Sequence, residues 1–122
     1  MIIFSPANIS PAKVNELTAQ IDIAPTIFGL LNFNYKSKFF GQDALNTPPE
    51  KRRAYISTYE GLGYIKNGKL IIQSPVKKIN QFTPDFITGS AEHSKLNDTL
   101  ANEATSFYQA ASWLIKNHRY NK

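Results

Sequence analysis

Apolar and polar positions change their period along the chain, and each change predicts a different element. Residues 1–5 form a continuous apolar run closed by Pro6, the pattern of a short strand buried on both faces. From Ile23 the apolar residues Ile23, Ile27, Leu30 and Leu31 recur at helical spacing, which predicts a helix over 23–31 with one apolar stripe. Asp22 is placed to cap that helix, and Pro25 falls in its first turn, where a proline is tolerated. A stripe of this kind must lie on another surface, and the best candidate is the 2–5 strand. The first 47 residues therefore read as a core strand and helix belonging to a larger α/β domain.

Between strand and helix, Pro6 to Pro11 make a connection that is expected to end in one helical turn around 13–17. Gly29 inside the helix costs about 1 kcal/mol relative to alanine, which is sensible where the missing side chain admits a close neighbour. Asn32 or Asn34 can end the helix. The stretch to Asn46 has no clean period, and of the adjacent Phe39 and Phe40 an extended backbone turns only one inward.

Beyond Arg53 the period falls to two. Residues 53–59 alternate as a strand and 61–65 resume one. Asn67-Gly68 is a two-residue hairpin signal because both positions tolerate positive φ, and 70–73 supply the returning strand. Residues 79–82 are a further strand candidate, whereas 84–95 are polar and turn-rich and read as a mobile connection. Leu100, Ala104, Phe107, Ala111, Leu114 and Ile115 then mark an amphipathic helix over about 97–117, with Asp98 at its start and Lys116, His118 and Arg119 at its end suiting the helix dipole. The expected fold is α+β: a small antiparallel sheet with an N-terminal edge strand and packed helices. Residues 53–118 hold the sheet and its closing helix.

Composition narrows the function classes. A chain of 122 residues is one domain at most, and 42% hydrophobic content is too high for a chain disordered throughout. The absence of cysteine excludes disulfides, thiolate metal sites and a thiol nucleophile. No apolar run approaches the roughly 18 residues needed to span a bilayer. The net charge of +5 favours anionic partners, yet Lys51-Arg52-Arg53 and Lys77-Lys78 are separate short clusters, and no nucleic-acid recognition motif accompanies them. Nucleic acid is therefore not an expected partner; weak attraction to anionic lipid is.

Candidate chemistry is sparse. His93 and His118 have no paired metal-ligand spacing, and Asp22, Asp43, Asp85 and Asp98 have none that fixes a separation. Ser57 and Thr58 are nucleophiles only where a base approaches them in space. Gly61-Leu-Gly63 is too short for a phosphate-binding loop and reads as a strand bend or turn. No residue of the chain is assigned as catalytic, cofactor-binding or metal-binding. Composition and spacing alone describe an α+β module, and a structural or protein-interaction module of unrelated origin is the alternative to the reading that follows.

Three stretches carry a resemblance. Gln20-Ile-Asp-Ile-Ala-Pro-Thr-Ile-Phe-Gly-Leu-Leu31, Tyr35-Lys-Ser-Lys-Phe-Phe-Gly-Gln-Asp43 and Leu62-Gly-Tyr-Ile-Lys-Asn-Gly-Lys-Leu70 together resemble the C-terminal portion of sulfatase-like phosphoglycerol transferases. These are the lipoteichoic-acid-synthase-like and osmoregulated-glucan-modifying enzymes of the alkaline phosphatase superfamily. The first motif is shared with sulfatases and phosphoethanolamine transferases at large, and its combination with the other two narrows the match. The resemblance covers about residues 1–82 and weakens toward the last helix.

It implies that residues 1–122 are a single C-terminal segment of a larger, alkaline-phosphatase-like catalytic domain. The parent is then a metal-dependent transferase or hydrolase acting on anionic lipid head groups, anchored in the cytoplasmic membrane with this segment on the extracytoplasmic side. In such enzymes a metal-held Thr or Ser attacks a phosphodiester, and the nucleophile and the divalent-metal ligands (Mn, Mg or Zn) precede the stretch resembling 1–5. No family catalytic residue falls on a numbered position here, and the chain alone is expected to be inactive. Its implied partner is the upstream catalytic core; self-association through the 2–5 strand is a second expectation.

Overall fold

The computed structural model describes residues 2–38 and 40–120. The chain forms two compact units, Met1–Arg52 and Arg53–Lys122, each taken here by itself.

The first unit is organised by helix α1, Ile23–Leu30, entered through a 3-10 turn at Gln20–Asp22. Pro25 is its third residue, where a missing N–H leaves no intrahelical bond unmade. The helix ends as the sequence suggests, at Asn32. That residue adopts φ 54°, its N–H donates to the Gly29 carbonyl at 3.1 Å, and the Phe33 N–H reaches back to the Phe28 carbonyl at 2.9 Å. This is a Schellman ending, completed by a ring contact between Phe28 and Phe33 with centroids 6.0 Å apart. A second 3-10 turn spans Pro49–Lys51.

Two expectations for this unit fail. Residues 2–5 are not a strand: Ile2 and Phe4 are 96% and 87% exposed, and among the described residues no strand pairs with them. A strand's N–H and C=O groups need a ladder partner, so an apolar run without one stays irregular. The helical turn at 13–17 does not form either. One isolated turn fixes several dihedrals for a single hydrogen bond, and these residues bury too little to offset that. The expectation for the phenylalanine pair rests partly on Phe39, outside the described residues; Phe40 is half-buried.

The second unit is a meander of five antiparallel strands in sequence order: β1 Arg53–Ser57, β2 Leu62–Lys66, β3 Lys69–Ser74, β4 Lys78–Pro84 and β5 Ala91–Ser94. Helix α2, Asp98–Lys116, follows. The β2–β3 hairpin turns at Asn67 (φ 50°) and Gly68 (φ 67°), a two-residue turn whose hand matches the strand twist, and it sets Lys66 opposite Lys69. That register aligns Tyr55, Tyr64, Ile71, Gln81 and Ser94 in one row across the sheet. Tyr64 and Ile71 from this row form the core with Ala104 of α2, all three with no exposed surface, and Tyr55, Ile79, Leu100 and Phe107 pack around them. Alanine at 104 lets the helix backbone come close to the two large side chains.

The 84–95 stretch departs from expectation because it contains β5. Its sequence has no apolar alternation, and what holds it is polar. Gln81 of β4, 4% exposed, donates through Nε2 to the Ser94 hydroxyl at 3.1 Å and the Lys95 carbonyl at 2.8 Å, and accepts the Asn97 N–H at 3.0 Å. Asn97 in turn caps α2 by accepting the Leu100 N–H at 3.1 Å. One buried amide thus fastens the end of β5 and the start of α2. At the far end His118, with φ 51°, closes a second Schellman ending through the Arg119 N–H to the Leu114 carbonyl at 2.9 Å. Replacing Gln81 by leucine removes the hydrogen-bond partner of the Ser94 hydroxyl, the Lys95 carbonyl and the Asn97 N–H and should lower stability by about 1–2 kcal/mol. In hydrogen-exchange NMR the Asn97 amide and the β5 amides should lose protection well before those of β2 and β3. Uniform loss across the sheet would show that β5 is not locally fastened.

Candidate functional site

Residues of the first motif converge on a buried polar knot rather than on an open cleft. Asp22 is 4% exposed and does not cap α1 with its side chain. Its backbone is already helical, at φ −80° and ψ −9°, which leaves the carboxylate out of reach of the first N–H groups of α1. One oxygen instead accepts the Ala19 N–H at 2.7 Å, as an acid at the third position of a turn does, and the other accepts the Gln42 N–H at 2.8 Å across 20 residues of sequence.

Thr26, fully buried, donates to the Asp22 carbonyl at 2.6 Å and accepts the Ala44 N–H at 2.9 Å. Gly29 and Gly41 make room for the same approach: a Cβ at residue 29 would meet the Asp43 carboxylate, and one at residue 41 would meet the Ile21 carbonyl. The open space that Gly29 implies in the sequence is therefore occupied by Asp43. That side chain is fixed by the Leu45 N–H at 2.9 Å and the Asn46 amide at 2.8 Å. Asp22, Thr26, Gly29, Gly41 and Asp43 together lash the 41–44 segment to α1, and both Asp22 oxygens are committed to backbone donors.

A second polar cluster lies in the sheet unit. The Tyr64 hydroxyl donates to Glu103 Oε1 at 2.9 Å, and Lys66 Nζ lies 2.7 and 2.9 Å from the two Glu103 oxygens. Arg53 donates from Nε to the Tyr55 hydroxyl at 2.7 Å, and its guanidinium sits 4.5 Å from the centre of the Phe107 ring. Burial is the largest influence on the Glu103 carboxyl and pushes it up, but the hydrogen bonds from Lys66 and Tyr64 and the nearby cations outweigh it and hold Glu103 below its ordinary value. Burial, the Glu103 hydrogen bond and the Glu103 charge all push the Tyr64 hydroxyl far above the ordinary tyrosine value. Sequence reading missed this cluster. Its signal was Glu103, a charged residue three positions after Leu100 and four before Phe107 on the apolar stripe of α2.

The other candidates are dispersed and engaged in turns. Thr58 accepts the Glu60 N–H and donates to the Gly61 carbonyl, each at 3.3 Å, and so shapes the β1–β2 turn beside the exposed Ser57. The Asp85 carboxyl is held below its ordinary value, first by the Thr88 hydroxyl and then by the Ile87 and Thr88 N–H groups of its own turn. His93 stacks edge-on against Phe82 at 4.9 Å, His118 ends α2, and Asp98 lies in the first turn of α2. Among the described residues no three His, Asp or Glu side chains gather to hold a metal ion. Both Asp22 oxygens are already bonded to backbone amides, and the described carboxylates and imidazoles do not converge on one point. No described helix is long and apolar enough to cross a membrane.

Against solved structures, the chain resembles a Vibrio parahaemolyticus protein in the alkaline phosphatase superfamily, with a TM-score of 0.84 and 25% sequence identity over 93% of this chain. It spans 28% of that protein's chain. No protein-family model and no curated protein matches the sequence. The likeness supports an origin in the alkaline phosphatase superfamily, and the five-stranded sheet with two helices matches an α+β fragment of an alkaline-phosphatase-like fold.

The knot and the cluster give separate tests. Gly to Ala inside a helix ordinarily stabilises by about 1 kcal/mol; Gly29→Ala should instead destabilise by about 1–3 kcal/mol, because the Asp43 carboxylate in its way is pinned. Thr26→Val should expose the Ala44 amide to exchange while Thr26→Ser retains its protection.

For the sheet unit, Glu103 contributes stability that is present above its ordinary value of 4.5 and is lost as pH falls below it toward the depressed folded value. Tyr64 contributes stability that is present below its ordinary value of 10.0 and is lost as pH rises above it. Thermal melts across pH should show both limbs, and Glu103→Gln should flatten the acid one.

Proposed function

We propose that this chain is the noncatalytic C-terminal structural portion of a membrane-anchored, metal-dependent phosphoglycerol transferase or related sulfatase-like hydrolase acting on anionic lipid head groups. The observation that carries the reading is the likeness of 93% of the chain to 28% of a larger alkaline phosphatase superfamily protein. The motif residues support it through what they do here: Asp22, Thr26 and Gly29 bind chain to chain rather than bind a reactant. The α1 stripe supports it too. Ile23, Ile27, Leu30 and Leu31 are 37–56% exposed, an apolar helix face of the kind a larger core covers.

In this reading the nucleophile and the divalent metal belong to the upstream catalytic core, which is the segment's partner. The chemistry of such a site rests on a nucleophile fixed against a cation and on groups placed for developing charge, and none of the clusters described above supplies that constellation. What the segment contributes is a rigid sheet and helix.

Purified residues 1–122, supplied with Mn²⁺, Mg²⁺ or Zn²⁺, should neither hydrolyse a chromogenic phosphodiester nor release diacylglycerol from phosphatidylglycerol. In the Vibrio parahaemolyticus protein, removing the matched stretch should lower the melting temperature or abolish soluble expression. Turnover by the isolated chain that a chelator abolishes, or an unchanged melt of the truncated Vibrio protein, would overturn the reading.

A further inference from the structure

The register of the sheet brings two loops to the same end of it. Ser57, Leu62, Gln73 and Ile79 stand in one row across β1 to β4, so the β1–β2 turn at 58–61 and the β3–β4 turn at 75–77 leave the sheet side by side, about two strand spacings or roughly 10 Å apart. Each carries a large apolar side chain at its tip with no protein against it: Tyr59 is fully exposed and Val76 is 97% exposed.

Val76 is also the least comfortable backbone in the unit. It is β-branched and sits at φ 68°, followed by Lys77 at φ 58°, where glycine or asparagine is the ordinary choice. A strained, exposed valine gains nothing within the fold. Around the two tips stand Lys77 and Lys78, both exposed, with Lys95 leaving β5 on the same side; Glu60 lies in the β1–β2 turn and Asp98 opens α2 three residues beyond Lys95.

We infer that this end of the sheet is a membrane-surface contact that takes an anionic lipid bilayer. Tyr59 and Val76 enter the headgroup and upper acyl region, and Lys77 and Lys78 lie against the lipid phosphates. An aromatic ring with a polar tip suits the interface, an aliphatic tip suits the layer beneath it, and each lysine close to an anionic surface adds attraction that salt screens. The opposite end of the sheet provides the contrast. The β4–β5 turn exposes Phe86 at 65% and Ile87 at 96%, with Asp85 in the same turn. The cations at that end are half-buried and engaged, Lys66 with Glu103, Lys69 with the Thr83 hydroxyl and Arg53 with the Tyr55 hydroxyl. Apolar exposure alone would make the two ends equivalent; the exposed ammonium groups of Lys77 and Lys78 distinguish the Tyr59–Val76 end. The inference goes beyond the proposed function and does not depend on it, since the loops, their charges and their exposure belong to this chain alone.

The experiment measures co-sedimentation of the 122-residue chain with phosphatidylglycerol vesicles and with phosphatidylcholine vesicles, at low and high salt. The chain should bind the former, not the latter, and lose binding at high salt. Lys77→Gln with Lys78→Gln should weaken binding on the order of tenfold or more, and so should Tyr59→Ser with Val76→Ser. Phe86→Ser with Ile87→Ser at the other end should leave it unchanged. In a Trp113→Phe background, Tyr59→Trp should blue-shift its fluorescence on phosphatidylglycerol vesicles and not with glycerol phosphate in solution, which separates insertion into a bilayer from binding of a free phosphate.

Circular dichroism of each variant confirms the fold, and Val76→Gly, which removes the side chain while relieving the backbone, provides a folded variant should Val76→Ser fail. Equal weakening by the Phe86 and Ile87 substitutions, binding insensitive to the two lysines, or a fluorescence shift with glycerol phosphate alone would each overturn the inference.

Discussion

The sheet unit depends on one buried contact, Tyr64 against Ile71 beneath Ala104. A fully buried tyrosine brings its hydroxyl into the interior, and such a group costs about 1–3 kcal/mol unless it is bonded. Glu103 accepts that bond, which obliges α2 to present a carboxylate beside its apolar stripe, and the carboxylate in turn requires Lys66 from the same strand as Tyr64. Helix orientation and the ion pair are therefore consequences of placing one tyrosine in the core. Only the small side chain at residue 104 allows the helix close enough for the hydroxyl to reach.

The helix unit follows a different logic, since two of its four buried residues among those described, Asp22 and Thr26, are polar. Two oxygens of Asp22 and one hydroxyl of Thr26 satisfy backbone N–H groups of Ala19, Gln42 and Ala44, which have no helix or strand to pair them. An irregular segment survives in contact with a helix because side chains take over the backbone's hydrogen bonding, and because two glycines remove the atoms that would hold the segment away. The apolar stripe of the same helix is left open. A unit that spends its polar groups on holding itself together and shows an apolar face outward is suited to being one part of a larger core.

This distinction bears on how a motif is interpreted. Asp, Thr and Gly at 22, 26 and 29 look like chemistry because such residue types serve catalysis elsewhere, yet every polar atom of Asp22 and Thr26 described here is used to fix backbone. A buried carboxylate with both oxygens bonded to backbone N–H groups is a poor metal ligand, since a cation has to compete with bonds already made. The same caution applies to Thr58 and Asp85, which shape tight turns, and to His118, whose left-handed backbone ends a helix.

By itself the sequence determined the elements whose signal is local. The period of three to four at Ile23, Ile27 and Leu30 and at Leu100, Ala104 and Phe107 specified both helices, and alternation with Asn67-Gly68 specified β2, β3 and their register, because side-chain direction and positive φ are properties of a few adjacent residues. Gly29 likewise announced a close neighbour without naming it. Tertiary structure alone decided the rest. β5 exists because Gln81, ten or more residues away, bonds its end; residues 2–5 are no strand because a ladder needs a second chain segment; Asp22 serves Gln42 rather than α1 because its own backbone had already turned helical; and the Tyr64, Lys66 and Glu103 cluster forms only when strand and helix meet across 37 or more residues. In each case the deciding partner lies beyond any local window, so no local pattern of residues could encode it.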